Sequence, residues 1–140
     1  HTEIKITKDG PKVVELGARL GGDNITTYLT PLSTGVDMVE SCIRIALGET
    51  ADLEPKFHKA SAIRYFRVEQ GFIRDIRGLE EARKIPGVKQ IYVVHGIGEK
   101  MNGIKSSGDR SGFVIAQADT AEKAVEICEK ALDLIEIEME

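Results

Sequence analysis

The chain has 140 residues, of which 41% are hydrophobic and 30% charged, with a formal charge of -4; this is enough apolar material for one domain, or two small lobes sharing a core, to fold without metal or disulfide support. The acidic balance argues against nucleic acid as a partner, because phosphate contacts need clustered Lys and Arg. No apolar run approaches the roughly 20 residues that span a bilayer, and the amino terminus lacks a basic-then-apolar signal pattern, so no membrane partner and a cytoplasmic setting are expected.

The chain opens on His1 instead of Met and runs at once into strand-like sequence, the mark of a fragment or of a processed product with a tag remnant. Residues 3–7 alternate, "KDGP" supplies a turn, and residues 12–20 alternate again, which predicts a hairpin. On a straight second strand one face carries Val13, Glu15, Gly17 and Arg19, and the other, read as a core face, carries Val14, Leu16, Ala18 and Leu20. At about 3.3 Å per residue Glu15 and Arg19 would stand roughly 13 Å apart. That is too far for an ion pair and suited to the two ends of an extended anionic ligand.

After "GGDNITTYLTPLST", Thr34 and Asp37 form a capping box for a helix carrying Val36, Val39, Ile43, Ala46 and Leu47, stopped by Gly48 and expected to pack on the hairpin. Residues 49–59 break the periodicity and form the best internal boundary. Beyond it, residues 61–67 and 72–76 read as a pair of strands around "VEQG". "GLEEARKI" reads as a short helix closed by Pro86 and Gly87, and "VKQIYVV" as a strand. A glycine-rich loop from Gly96 leads to a strand at residues 112–116. Asp119 with Glu122 caps a last helix whose apolar face is Ala121, Ala124, Val125, Cys128 and Leu132. The chain ends on a strand with Ile135, Ile137 and Met139 inward and Glu136, Glu138 and Glu140 toward solvent. This order implies an α+β fold with mostly antiparallel sheets and helices packed on them.

Cys42 and Cys128 both fall on apolar helix faces without metal-ligand spacing and are expected to be buried structural thiols. His58 lies in the boundary segment, and His95 ends a strand with no carboxylate at ligand spacing; both are expected at the surface. "GIGEKM" fails the dinucleotide fingerprint because Met101 stands where its third glycine would be. Lys100, Lys105 and Arg110 between Gly96 and Gly112 could hold an anion, but a mobile hairpin loop is the simpler reading.

"VVELGARLGGD" followed by "PLSTGVDMVESCIRIALGE" resembles the C-terminal part of an ATP-grasp domain, the fold of carboxylate-amine and carboxylate-thiol ligases. There a strand of pattern E-x-N-x-R-x-G-G precedes a helix with S-T-G-x-D near its start and A-L-G near its end. "AIRYFRVEQGFIRDIRGLEEARKIPGV" through "RSGFVIAQADTAEKAVEICEKAL" is similar to the subdomain that follows the grasp in L-amino-acid ligase-like members. It is more distantly similar to that of biotin carboxylase and phosphoribosylamine-glycine ligase. The resemblance implies that residues 1–50 end an ATP-grasp lobe and residues 51–140 form a C-terminal α+β subdomain of biotin-carboxylase type. It implies ATP and Mg2+ as cofactors, with Glu15 as the metal and nucleotide ligand. Arg19 would be the catalytic and substrate-binding cation that grips a carboxylate or its acyl phosphate, and Gly21, Gly22 and Asp23 would shape the substrate pocket. Gly17 departs from the pattern, since it stands where the family has an Asn metal ligand. Small-molecule carboxylate and amine substrates follow from the resemblance, and a homodimer is compatible with it. The family's lid and phosphate-contacting lysines precede this motif, so the 140 residues alone are expected to be inactive. A purine-pathway or carbamoyl-phosphate-type member stands as one alternative, a non-catalytic ligand-binding or dimerisation module as another.

Overall fold

A computed structural model describes all 140 residues, His1–Glu140. Strands β1 (Thr2–Thr7) and β2 (Gly10–Leu16) form the expected hairpin. A π-helical turn at Ile25–Leu29 then runs directly into α1 (Thr30–Thr34), followed by α2 (Met38–Ala46). After the boundary segment come β3 (Ala60–Tyr65), β4 (Gly71–Arg77), α3 (Leu79–Arg83), β5 (Val88–Val93) and the short β6 (Lys100–Met101). A 3-10 turn at Ser107–Asp109 leads into β7 (Gly112–Ala118), α4 (Ala121–Leu134) and β8 (Glu136–Met139).

Every strand pair is antiparallel, and the fold is α+β as the sequence implies. The two strands around "VEQG" do not pair with each other: β3 joins the sheet β3-β7-β5, and β4 joins β6-β4-β8. Four residues are too few to dictate a hairpin when a long-range partner is available, and β7 supplies six register pairs to β3.

The core lies between α4 and the first of these sheets. Ala124, Ile127, Cys128 and Ala131 of α4 bury against Ala62, Ile91, Val114 and Ala116, with Phe66 and Ala82 completing the cluster. The buried stripe therefore includes Ile127 and Ala131 and leaves Ala121 exposed, a rotation of the expected face. The cap also differs: Thr120, not Asp119, accepts from the Lys123 amide. For α2 the cap is Asp37, which accepts from the Glu40 amide at 2.9 Å, while Thr34 ends α1. In both helices the oxygen that reaches the N3 amide wins, and the spacing between cap and acceptor decides which residue that is.

Two apolar faces expected to be buried are not. Val14 and Leu16 of β2 are 64% and 76% exposed, Ile4 and Ile6 of β1 are 52% and 79%, and β1 and β2 pack chiefly on each other. Helix α2 packs on the π-helical turn instead of the hairpin and leaves Ile43 and Leu47 in solvent. Cys42 is likewise exposed, whereas Cys128 is buried as expected. Periodicity identifies an apolar face but not what covers it. The carboxylates of β8 do more than face water, since Glu136 and Glu138 form ion pairs with Arg77 and Arg74 of β4.

His95 does have a carboxylate partner, because the chain turns back after β5. Its Nδ1 lies 2.6 Å from Glu99 Oε2, and the Gly96 amide donates to the same carboxylate. The hydrogen bond to Glu99, with help from the Gly108 backbone, raises the His95 pKa above 6.5, and that bond lowers Glu99 below 4.5. The loop beyond is organised by Asp109, whose Oδ2 accepts from the Lys105 and Ser106 amides and the Ser106 hydroxyl.

Gly78 has φ +80°, and a methyl group there would run into the Leu134 carbonyl at the end of α4. Gly78→Ala should therefore lower stability by about 1–3 kcal/mol, read as a shift in the urea midpoint. A raised His pKa stabilises below the unfolded value of 6.5 and is lost as pH rises through the folded value; a lowered Glu stabilises above 4.5 and is lost as pH falls through its folded value. Amide exchange at Gly96, whose N–H donates to Glu99, should accordingly be slowest between about pH 4.5 and 6.5, after correction for intrinsic rates, and should quicken as His95 loses its proton. His95→Gln should remove the alkaline arm of that profile.

Candidate functional site

The opening motif does not run straight. Strand β2 ends at Leu16 and the chain bends at Ala18 and Arg19, which returns the guanidinium toward the strand. Arg19 Nη2 lies 3.7 Å from Glu15 Oε1, and its Nη1 donates to the Leu20 carbonyl. The 13 Å separation expected of a straight strand is thus replaced by an exposed ion pair. A Cβ added at Gly17 would meet the Arg19 side chain in ordinary contact, 3.4 Å from Cγ, so the bend brings Arg19 back over this residue.

The hairpin also contains a one-residue irregularity. Thr7↔Gly10 through Ile4↔Val13 follow the register of a two-residue turn, but the next pair is Glu3↔Glu15, leaving Val14 as the extra residue. Without this bulge Glu3 would stand opposite Val14. With it, two carboxylates are direct cross-strand partners, and directly opposed residues project to one face of a ribbon. Sequence reading missed Glu3 because strict alternation allows no bulge; the only available signal was an acidic residue on each arm of one predicted hairpin.

Beside this pair the chain makes a left-handed turn. Asp23 and Asn24 both have positive φ, 50° and 61°, a conformation that Asp and Asn tolerate better than other non-glycine residues. Gly21 packs against the His1 ring and Ile25, and its carbonyl accepts from the Thr26 hydroxyl at 2.9 Å. Gly22 has open space where a side chain would be. A cleft of about 270 Å3 lies here, lined by His1, Glu3, Arg19, Gly22, Asp23, Ile25 and Ser107. Of the expected site residues the fold thus gathers Arg19, Gly22 and Asp23 in one cleft, with Glu15 against Arg19 and Gly21 behind the turn.

Ser107 shows that the far end of the chain reaches the same cleft. Three residues later Arg110 Nη1 bonds Asp23 Oδ1 at 2.8 Å, and its guanidinium carbon sits 3.9 Å from the Tyr65 ring centre. Burial raises the Tyr65 pKa, reinforced by the Asp23 charge and opposed by Arg110. Arg110 stands behind the cleft, holding the lining residue Asp23, and the loop that carries it is pinned by its own Asp109 cap.

No group of three or more His, Cys, Asp or Glu side chains is placed to hold a metal ion, but Glu3, 3.2 Å from His1 Nε2, and Glu15, beside Arg19, offer two hard oxygen ligands on one face. That suits a cation completing its octahedron with phosphate oxygens and water. No helix is long and apolar enough to cross a membrane.

The fold and this sequence have recognisable relatives. Residues 64–140 match the model of the family described as L-amino acid ligase C-terminal domain 2. The phosphoribosylamine-glycine ligase of Methanocaldococcus jannaschii is 29% identical over 145 aligned positions, covering 99% of this chain and 32% of that protein. Among solved structures, the L-amino acid ligase of Bacillus licheniformis superposes with a TM-score of 0.82 at 24% identity, over 100% of this chain and 36% of that one. The biotin carboxylase domain dimer of Hydrogenobacter thermophilus 2-oxoglutarate carboxylase, solved with MgADP, ADP and bicarbonate, superposes at 0.69 and 21% identity, over 99% of this chain and 31% of that one. At these identities the two structures establish the fold. The chain spans about a third of the length of the relatives it matches. With more than half its residues matched by the family model, it belongs to the L-amino acid ligase C-terminal domain 2 family of ATP-grasp ligases.

Proposed function

We propose that this chain supplies one wall of the active site of an ATP-dependent carboxylate-amine ligase, in which residues 1–50 complete the ATP-grasp lobe and residues 51–140 form the C-terminal subdomain. The observation that carries the reading is the cleft itself, which brings Glu3, Arg19, Gly22 and Asp23 together beside Glu15. ATP bound with Mg2+ would supply the phosphoryl group that converts a substrate carboxylate into an acyl phosphate open to attack by an amine. Glu15 and Glu3 hold the divalent cation, a task for hard oxygen donors. Gly17 contributes no side-chain ligand, so the metal depends more heavily on this pair. Arg19 grips the carboxylate end with a planar fork, exchanging its exposed pairing with Glu15 for the substrate. The uncovered Gly22 backbone leaves room for a tetrahedral centre to approach.

The amine and acid substrates are read as amino acids, following the family. A second reading, phosphoribosylamine with glycine, is favoured by the relative of nearly full coverage in Methanocaldococcus jannaschii. Phosphate release from ATP by the full-length protein carrying this chain, assayed with pairs of L-amino acids and with phosphoribosylamine plus glycine, separates the two.

Glu15→Gln keeps shape and removes the charge the cation needs. In that protein it should lower turnover by at least about a hundredfold and raise the Mg2+ concentration for half-maximal rate, with the melting temperature unchanged. Activity near that of the wild type would remove Glu15 from the metal site. Arg19→Lys keeps the charge and loses the fork, so carboxylate-dependent ATP hydrolysis should collapse while the KM for ATP holds. A merely solvated arginine would instead change stability by no more than about 0.5 kcal/mol and leave the kinetics alone.

A further inference from the structure

The face of the β3-β7-β5 sheet turned away from α4 carries an aromatic rung. Tyr65, Phe113 and Tyr92 are direct register partners across the three strands, with Tyr65 edge-on to Phe113 at 6.4 Å and Tyr92 stacked on Phe113 at 5.7 Å. Two and four residues along the same face, Ile115 is fully buried and Ser61 and Gln117 donate to the carbonyls of Leu29 and Leu32. Residues 25–34 therefore cover one end of this face and Arg110 covers the other.

The Arg110 guanidinium sits over the Tyr65 ring, 3.9 Å from its centre, and holds Asp23, 87 residues away in sequence. A planar guanidinium can stack and bond in-plane at once, which an ammonium cannot. What it holds is a turn with two successive non-glycine residues at positive φ, a backbone that persists only where its surroundings over-determine it. That turn carries Gly22 into the cleft occupied by Arg19. On the other side, the Asp109 cap fixes the backbone that carries Arg110 and places Ser107 in the cleft.

We propose that Arg110 is a positioning residue for the substrate end of this cleft: clamped on the aromatic rung, it sets Asp23 and Gly22 at the distance from Arg19 that a substrate carboxylate requires. The affinity for substrate then depends on the C-terminal subdomain, through a residue that need not touch the substrate. This inference rests on the cleft being the substrate site.

The test uses the full-length protein carrying this chain, with whichever of the substrate pairs above drives phosphate release in the wild type, and the variants Arg110→Lys, Asp23→Asn, their double and Arg19→Lys. A residue that only orients the substrate-binding turn acts on ground-state and transition-state binding alike, so Arg110→Lys and Asp23→Asn should each raise the substrate KM by about tenfold or more. Their kcat should stay within about threefold and the KM for ATP should be unchanged. The double variant should be no worse than the weaker single, because both break one link. Unchanged substrate KM in Arg110→Lys, with a lowered melting temperature and a still-impaired Arg19→Lys, would make Arg110 a structural tie and overturn the proposal. Unchanged KM in Arg19→Lys as well would overturn the substrate reading of the cleft together with it. Urea unfolding of each variant separates loss of stability from loss of affinity.

Discussion

The close approach of α4 to the β3-β7-β5 sheet is the constraint on which the remainder rests. Ala124, Cys128 and Ala131 meet Ala62, Val114 and Ala116, small side chains on both surfaces that let helix and sheet approach closely and bury both surfaces completely. The Cys128 thiol comes within 3.5 Å of the Ala62 carbonyl, and its burial pushes its pKa up to about 11, so it packs as a small apolar group. With one face of the sheet committed to α4, the other must be covered by chain from elsewhere. Residues 25–34 and Arg110 do this, and the turn that bears Gly22 and Asp23 is held in place as a by-product of covering the sheet.

Two devices of different kind then shape the cleft. The hairpin bulge is a backbone device, moving one carboxylate by a single register step so that it shares a face with another. The Arg110 clasp is a side-chain device spanning the length of the chain. The first brings two carboxylates to one face, where each already has a basic neighbour, Glu3 in His1 and Glu15 in Arg19; the second pairs Asp23 with Arg110. Apart from the His1 and Arg110 side chains, the groups in these pairs are half or more solvent-exposed. They contribute little to stability on their own, and their role is one of placement.

Much of the architecture was legible because it is locally encoded. The hairpin, α3, β5, β7 and α4 all announce themselves by alternation, helical spacing or glycine and proline punctuation. Strand partnership was not legible, since β3 and β4 are separated by five residues yet lie in different sheets. In the site, Arg19, Gly22 and Asp23 were found through a motif and do share a cleft. Glu3 required a bulge that periodicity does not report, the Glu15-Arg19 contact required a bend at Ala18 and Arg19, and Arg110 required tertiary knowledge of what lies over Tyr65. The apolar stripes of β2 and α2 were misread as core faces because hydrophobicity records what a surface is suited to meet, whereas exposure records what it meets within these residues.

The bulge at Val14 also bears on how this region can change over evolutionary time. Side chains on the hairpin are mostly solvent-exposed, so substitutions there meet few packing constraints. Its length is another matter: deleting Val14 would close the bulge and leave Glu3 opposite the same glutamate, whereas an added residue would slide one arm by a step and turn one carboxylate to the opposite face. Residues 50–55 carry no such count, lying between the Glu49 amide's bond to Arg44 and the Lys56 amide's bond to Thr34, and can change length more readily. Related chains should therefore drift in sequence along the hairpin while keeping ten or eleven positions between these two glutamates, with gaps collecting between residues 50 and 55.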